Sequence, residues 1–176
     1  MKNAKPNPAH TQIARLQELK PGTAIITQNI DDLHERAGSS RVTHLHGDMF
    51  VNHCFANCQG TPTIIDLLPE NVELPPKCPH CDNLVRPGVV WFGEQLPVSA
   101  VRAMKERIAE TDLLLVIGLS GAITYGVPEY VKNENQGIVI EINPNESGIT
   151  PFADIFLQAP AGEILPSLVS ELENLL

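Results

Sequence analysis

The placement of the cysteines constrains this chain more than any other feature. All four lie between residues 54 and 81, as Cys54-x3-Cys58, a gap of 19 residues, then Cys78-x2-Cys81. Two pairs of thiols, each carried by a tight turn in a chain otherwise free of cysteine, are suited to close a tetrahedron around Zn2+. The competing reading is four unrelated buried thiols. Iron also accepts four sulfurs, but zinc is the default for a closed site of this kind. With every coordination position filled by protein, the metal is predicted to staple the fold and not to activate water. His53 and His80 flank the cysteines as alternative ligands, made unnecessary by four thiols. The surrounding stretch, residues 48–97, holds seven of the 15 prolines and no convincing periodicity. It is expected to be a loop-rich insertion that needs such a staple to fold.

Charge narrows the function classes. Twelve basic against 21 acidic residues give a formal net charge of −9, the opposite of a nucleic-acid footprint. An acidic surface tolerates a cationic partner such as a Lys-rich peptide. No apolar run approaches the roughly 18–20 residues of a membrane span, so no membrane association is expected. Residues Met1 to His10 are polar and proline-rich, without the apolar stretch of a signal peptide. A cytoplasmic location follows as an expectation, and in a reducing compartment the cysteines read as ligands and not as disulfides.

On either side of the insertion, periodicity returns. Ile13, Leu16 and Leu19 share a helical face that Pro21-Gly22 ends. Residues 23–27 (TAIIT), 41–45, 112–118 (DLLLVIG), 138–142 (IVIEI) and 153–157 read as short strands, most of them apolar on both faces. A short helical pattern through Ala37, a helix over 98–110 and a C-terminal helix from Gly162 alternate with them. Buried strands alternating with helices predict an α/β fold, a parallel sheet covered on both faces. The expected division is 1–47 and 98–176 for the two parts of the sheet domain, with 48–97 as the small domain.

Several strand ends carry chemistry-bearing residues. Thr27-Gln28-Asn29-Ile30-Asp31 would lie at the carboxyl edge of the sheet, where open α/β folds place ligands; a turn with a helix cap explains the same residues equally well. His46, before Gly47, is a candidate general base, although a lone histidine is more often structural, and His34 and His44 have no better claim. Gly118-Leu119-Ser120-Gly121 suits close approach of a phosphate, as it suits any strand-to-helix turn. Asn143-Pro144-Asn145 is open in the same way.

Taken in order, TQNIDDLHERAG (27–38), LHGD (45–48), the cysteine pairs, RPGVVWFGE (86–94), LLLVIGLSG (113–121), VIEINP (139–144) and APAGEILPSL (159–168) resemble the sirtuin family, with KPNPAH (5–10) also fitting. The resemblance runs over almost the whole chain. It implies a Rossmann-like domain joined to a small zinc-ribbon domain, and an NAD-dependent protein-lysine deacylase that moves the acyl group to ADP-ribose and releases nicotinamide. By position in the motifs, His46 would be the general base acting on the ribose of NAD. Gln28, Asn29 and Asp31 would line the nicotinamide and ribose pocket. Gly118, Ser120 and Asn143 would face the ribose and adenosine, with Ala161 near the adenine. Cys54, Cys58, Cys78 and Cys81 would hold one structural Zn2+. Val90 to Glu94, including Phe92 and Gly93, would pair with an acyl-lysine peptide as an added strand; Trp91 and Phe92 equally suit plain packing.

Two departures from the family pattern bear on activity. The strand and GAG-x-S loop with which the family opens its nucleotide-binding domain are not in this sequence, and Leu119 stands where the family usually has Thr. Without that strand, its neighbours are expected to expose unpaired edges, a route to self-association. The isolated chain is accordingly expected to show no deacylation by itself. The alternative to the enzyme is a catalytically silent zinc-ribbon and half-Rossmann module that binds a peptide or protein.

Overall fold

The computed structural model describes residues 3–66 and 73–176; residues 67–72 of the predicted insertion lie outside that range. The first helix, α1 (Pro8–Leu19), begins where the sequence supplies a start. Asn7 caps it, His10 closes a reciprocal capping box, and Pro8 occupies the first turn, where its missing N–H costs nothing. β1 (Ile25–Thr27), the one-turn helix α2 (Leu33–Arg36) and β2 (Val42–His44) follow, with β1 and β2 parallel and Ile25 opposite Val42.

The chain then leaves the sheet. β3 (Gly47–Cys54) pairs antiparallel with β4 (Val85–Val89), with an irregularity between Asp48 and Asn52. Within the stretch expected to be a loop-rich insertion, this ribbon is regular structure that the sequence reading did not pick out. Seven of the eight residues of β3 are half-buried and only Cys54 is fully buried. No alternation of apolar and polar faces therefore marked it as a strand.

The second part of the sheet is regular. α3 (Val98–Ile108) leads to β5 (Leu113–Ile117), α4 (Val127–Asn133) to β6 (Ile138–Ile142), and a 3-10 turn (Thr150–Phe152) to β7 (Ile155–Leu157), before α5 (Ala161–Leu175). β5, β6 and β7 are all parallel, in that order. The short α4 had too few residues to show a helical period.

Helices cover both faces. On one, Met104 and Ile108 of α3 and Val131 of α4 pack with Leu45, Val116, Val139 and Ile149. On the other, Ala9 and Ile13 of α1 and Leu165, Ile164 and Leu168 of α5 pack against Ile142, Ile117 and Leu157. This is the layered α/β architecture predicted. The parallel sheet, however, is in two pieces: β1 pairs only with β2, and β5 only with β6, among the described residues. Side chains bridge the two pieces, since Ile26 and Leu45 join the same core as Leu114 and Val116. No helix among the described residues is long and apolar enough to cross a membrane.

Candidate active site and metal centre

The four thiols converge. Their sulfurs all lie within 4.8 Å of one another, with Cys54 and Cys81 at 3.5 Å and Cys58 and Cys78 at 3.8 Å. A tetrahedron with Zn–S bonds of about 2.3 Å requires sulfurs about 3.8 Å apart, so the donor set fits zinc. Each pair is turned by a residue that tolerates the left-handed region. Asn57 (φ 49) and Asp82 (φ 58) do this, and their backbone N–H groups bond Cys54 O at 3.1 Å and Cys78 O at 2.9 Å. Burial works against ionising the Cys54 thiol, but backbone N–H groups of Cys58 and Ala56 and the neighbouring thiols pull it down to about 7. Burial and the same neighbours push Cys58 up to about 12. Crowded thiols cannot all ionise unaided, and a dication between them removes the conflict. Neither His53 nor His80 joins the cluster.

The second site lies where strands end. Because β1 and β2 run parallel, Thr27 and His44 are in register, and the chain delivers Gln28 and His46 just beyond the carboxyl ends of the two strands. Gly47 is fixed by sterics: at φ 77, a Cβ there would come within 2.0 Å of Gly88 O. That close approach lets β3 depart directly after His46, whose carbonyl accepts from Val90 N at 2.8 Å. The imidazole points the other way, with Nε2 2.9 Å from the Tyr125 hydroxyl. Gln28 Nε2 donates to Ile123 O at 2.9 Å, drawing the loop after β5 over the end of β1.

That loop starts at Gly118 (φ 63), where a Cβ would meet nothing within 4 Å. It passes Gly121, where a Cβ would be 2.5 Å from Gly148 N, so two backbones cross there with no room for a side chain. Asn143 Nδ2 donates to Leu119 O at 2.8 Å, which gives the Leu at that position a backbone role independent of its side chain. Asp31 Oδ1 accepts from Leu33 N at 3.1 Å, an Asx turn opening α2. Asn29 carries its backbone N–H to Thr27 Oγ1 at 3.0 Å. Ala161, the first residue of α5, packs with the core around Ile142, next to Asn143 in the chain.

Residues 90–94 are not a free strand. Trp91 to Glu94 form a turn closed by Glu94 N donating to Trp91 O at 2.9 Å, with Gly93 at φ 88 and Phe92 fully exposed. Only Val90 continues the ladder beyond β4. The Arg86 guanidinium, followed by the Trp91 N–H, holds the Glu94 carboxyl well below its usual range, down to about 2.

Three residues of the site were not singled out from the sequence. Tyr125 meets His46 from 79 positions away, and nothing local marks it. Glu141 is fully buried and accepts from Ser147 Oγ at 2.5 Å and Thr150 Oγ1 at 2.7 Å, fixing the loop that carries Asn143. A charged residue inside the apolar run IVIEI was the available signal. Arg86 is the third.

The Sir2 family pattern matches residues 1–125. This chain belongs to the Sir2 family. Sirtuin relatives include an NAD-dependent protein deacylase 2 of Pyrobaculum aerophilum, 46% identical over 174 residues that cover 98% of this chain and 68% of that protein. A solved Sir2 homologue in complex with NAD superposes with a TM-score of 0.88 at 40% identity, covering 98% of this chain and 67% of the other. A Sir2 protein bound to an acetylated peptide does so with a TM-score of 0.84 at 30% identity, over 97% and 72%. The sirtuin fold class read from the sequence therefore stands, a Rossmann-like parallel sheet with a small zinc-ribbon module.

Proposed function

We propose that this sirtuin is an NAD-dependent protein-lysine deacylase that transfers the acyl group of an acyl-lysine peptide to ADP-ribose and releases nicotinamide. The observation that carries the reading is His46, beyond the end of β2 with Nε2 directed at the Tyr125 hydroxyl, on the loop after β5 that Gln28 also holds through Ile123 O. NAD supplies a cationic leaving group and the ribose that receives the acyl group. His46 Nε2 takes the proton of a ribose hydroxyl, a task suited to a neutral imidazole. Gln28, Asn29 and Asp31 hold the carboxamide and the adjoining ribose through amide and carboxylate hydrogen bonds. Gly118, with open space where a side chain would be, admits the adenosine side of the cofactor beside Ser120 and Asn143, with Ala161 at the adenine.

Cys54, Cys58, Cys78 and Cys81 hold one structural zinc and take no part in the chemistry. Val90, Phe92, Gly93 and Glu94 receive the peptide backbone, with Val90 as the point where the ladder is already extended. The same reading divides the chain into 1–47, 48–97 and 98–176 and assigns it to the cytoplasm, without a nucleic-acid or membrane partner. Self-association would use the edges of β1 and β5.

A second reading is favoured by one observation: β1 and β5 each leave an edge unpaired among the described residues. The isolated chain would then bind an acyl-lysine peptide without turning it over. Incubating purified protein with an acetyl-lysine peptide and NAD separates the two. Nicotinamide release that vanishes in His46→Ala supports the deacylase; peptide binding without nicotinamide release supports the silent module.

A further inference from the structure

Arg86 is heavily engaged for a side chain that neither ligates the metal nor borders His46. It sits on β4, 11% exposed, and its guanidinium makes a bidentate pair with Glu94, Nη1 to Oε1 at 2.5 Å and Nη2 to Oε2 at 2.9 Å. Nη2 also donates to Val89 O at 2.7 Å. The same planar group stacks over the Trp91 ring, 3.9 Å from its centroid, and approaches the Phe55 ring at 5.7 Å. Phe55 directly follows the ligand Cys54, and its backbone N–H bonds Leu84 O at 2.9 Å. Arg86 thus touches, at once, the start of the first cysteine knuckle, the strand β4 and the turn at 91–94.

The turn has little else to hold it. Its backbone is fixed by Val90 N to His46 O and Glu94 N to Trp91 O, and Phe92, fully exposed, anchors nothing. Glu94 Oε2 also accepts from Trp91 N at 2.9 Å, so the carboxylate that Arg86 grips is the one that closes the turn. A planar fork with a π face meets both demands, and an ammonium meets only the charge.

We propose that Arg86 is a positioning residue for the acyl-lysine peptide: it locks the Val90–Glu94 edge in its receiving conformation and ties that edge to the zinc module. The proposal rests on the deacylase reading of that edge. Trp91, the only tryptophan in the chain, reports on the lock directly.

The test is Arg86→Lys, measured by Trp91 emission, zinc content and binding of an acetyl-lysine peptide by calorimetry. The expected result is red-shifted emission, one zinc per chain and a peptide Kd raised about tenfold, the scale of one lost charge-assisted contact. If Arg86→Lys does not hold its zinc, Glu94→Gln, on the exposed side of the pair, carries the test with the same expected red shift and weakened binding. Peptide binding by the unsubstituted chain that the deciding variant leaves unchanged would overturn the Arg86 assignment alone. Failure of the unsubstituted chain to bind the acetyl-lysine peptide would overturn the deacylase reading, and this proposal with it.

Discussion

The zinc module and the layered sheet domain reach order by different physics. Among the described residues, the buried cluster of the module consists of Cys54, Ile65, Cys78 and Val85, and two of those four are metal ligands. The sheet domain buries Leu45, Met104, Ile108, Val116, Val131, Val139 and Ile149 on one face and Ala9, Ile142 and Leu165 on the other. Burial of apolar surface is the main driving force for the second region. The first buries few apolar side chains among its described residues and is expected to depend on coordination. One chain therefore contains one region that should respond to chelators and another that should respond to cavities.

Metal removal should give the largest difference. Structural zinc contributes roughly 10–16 kcal/mol in small zinc-binding folds, so chelation or Cys78→Ser should unfold the β3–β4 ribbon. Amide exchange should then become fast in 47–66 and 73–89 and stay slow in β5 and β6. Uniform exchange across both regions after chelation would break the comparison. Leu165→Ala, at a fully buried position of α5, should cost about 2–5 kcal/mol by thermal denaturation while zinc content stays at one per chain.

Glu141→Ala is expected to fall below that. It leaves the Ser147 and Thr150 hydroxyls without their buried acceptor, a loss of about 1–3 kcal/mol. Glu141→Gln, which retains an acceptor oxygen, should lose less. Stability curves in urea for the two variants measure the difference.

The smallest effect is a proton effect in the sheet domain. Burial opposes protonation of His44, but hydrogen bonds to Glu35 and to the Asn29 carbonyl outweigh it and raise its pKa. A raised folded value means that His44 stabilises the fold below pH 6.5 and that this contribution disappears as pH rises through its folded pKa. Burial lowers His10 and His34, whose ring centroids lie 4.9 Å apart with the planes tilted by 55°; their neutral forms favour the fold, and stability is lost as pH falls below 6.5. NMR titration should find His44 above 6.5 and the other two below it, with the His44–Glu35 pair contributing under about 1 kcal/mol. The reverse order would show that burial, not hydrogen bonding, governs His44.

The legible parts of the molecule are those with local causes. Ile13, Leu16 and Leu19, with Pro21-Gly22 after them, write α1, and LLLVI and IVIEI write buried parallel strands. Cys54-x3-Cys58 and Cys78-x2-Cys81 write a metal site whose sulfurs do converge. β3 was illegible because its register is set by its partner β4 and by the knuckles, leaving no alternation in the sequence itself. Tyr125 was illegible because its contact with His46 spans 79 positions, and Arg86 because surface arginines are common and only the fold stacks this one on Trp91.

By itself, the sequence determined the alternation of strands and helices, the ligand set for one metal and the residues that follow each strand, since period, turn chemistry and donor type are properties of short segments. The tertiary structure decided which of those residues meet. His46 faces Tyr125, Gln28 holds the loop after β5, Glu141 gathers the hydroxyls beneath Asn143, and β1 and β5 each keep one edge unpaired among the described residues. The side-chain contacts among these span long stretches of chain, and parallel strand order and packing, not local preference, fix them.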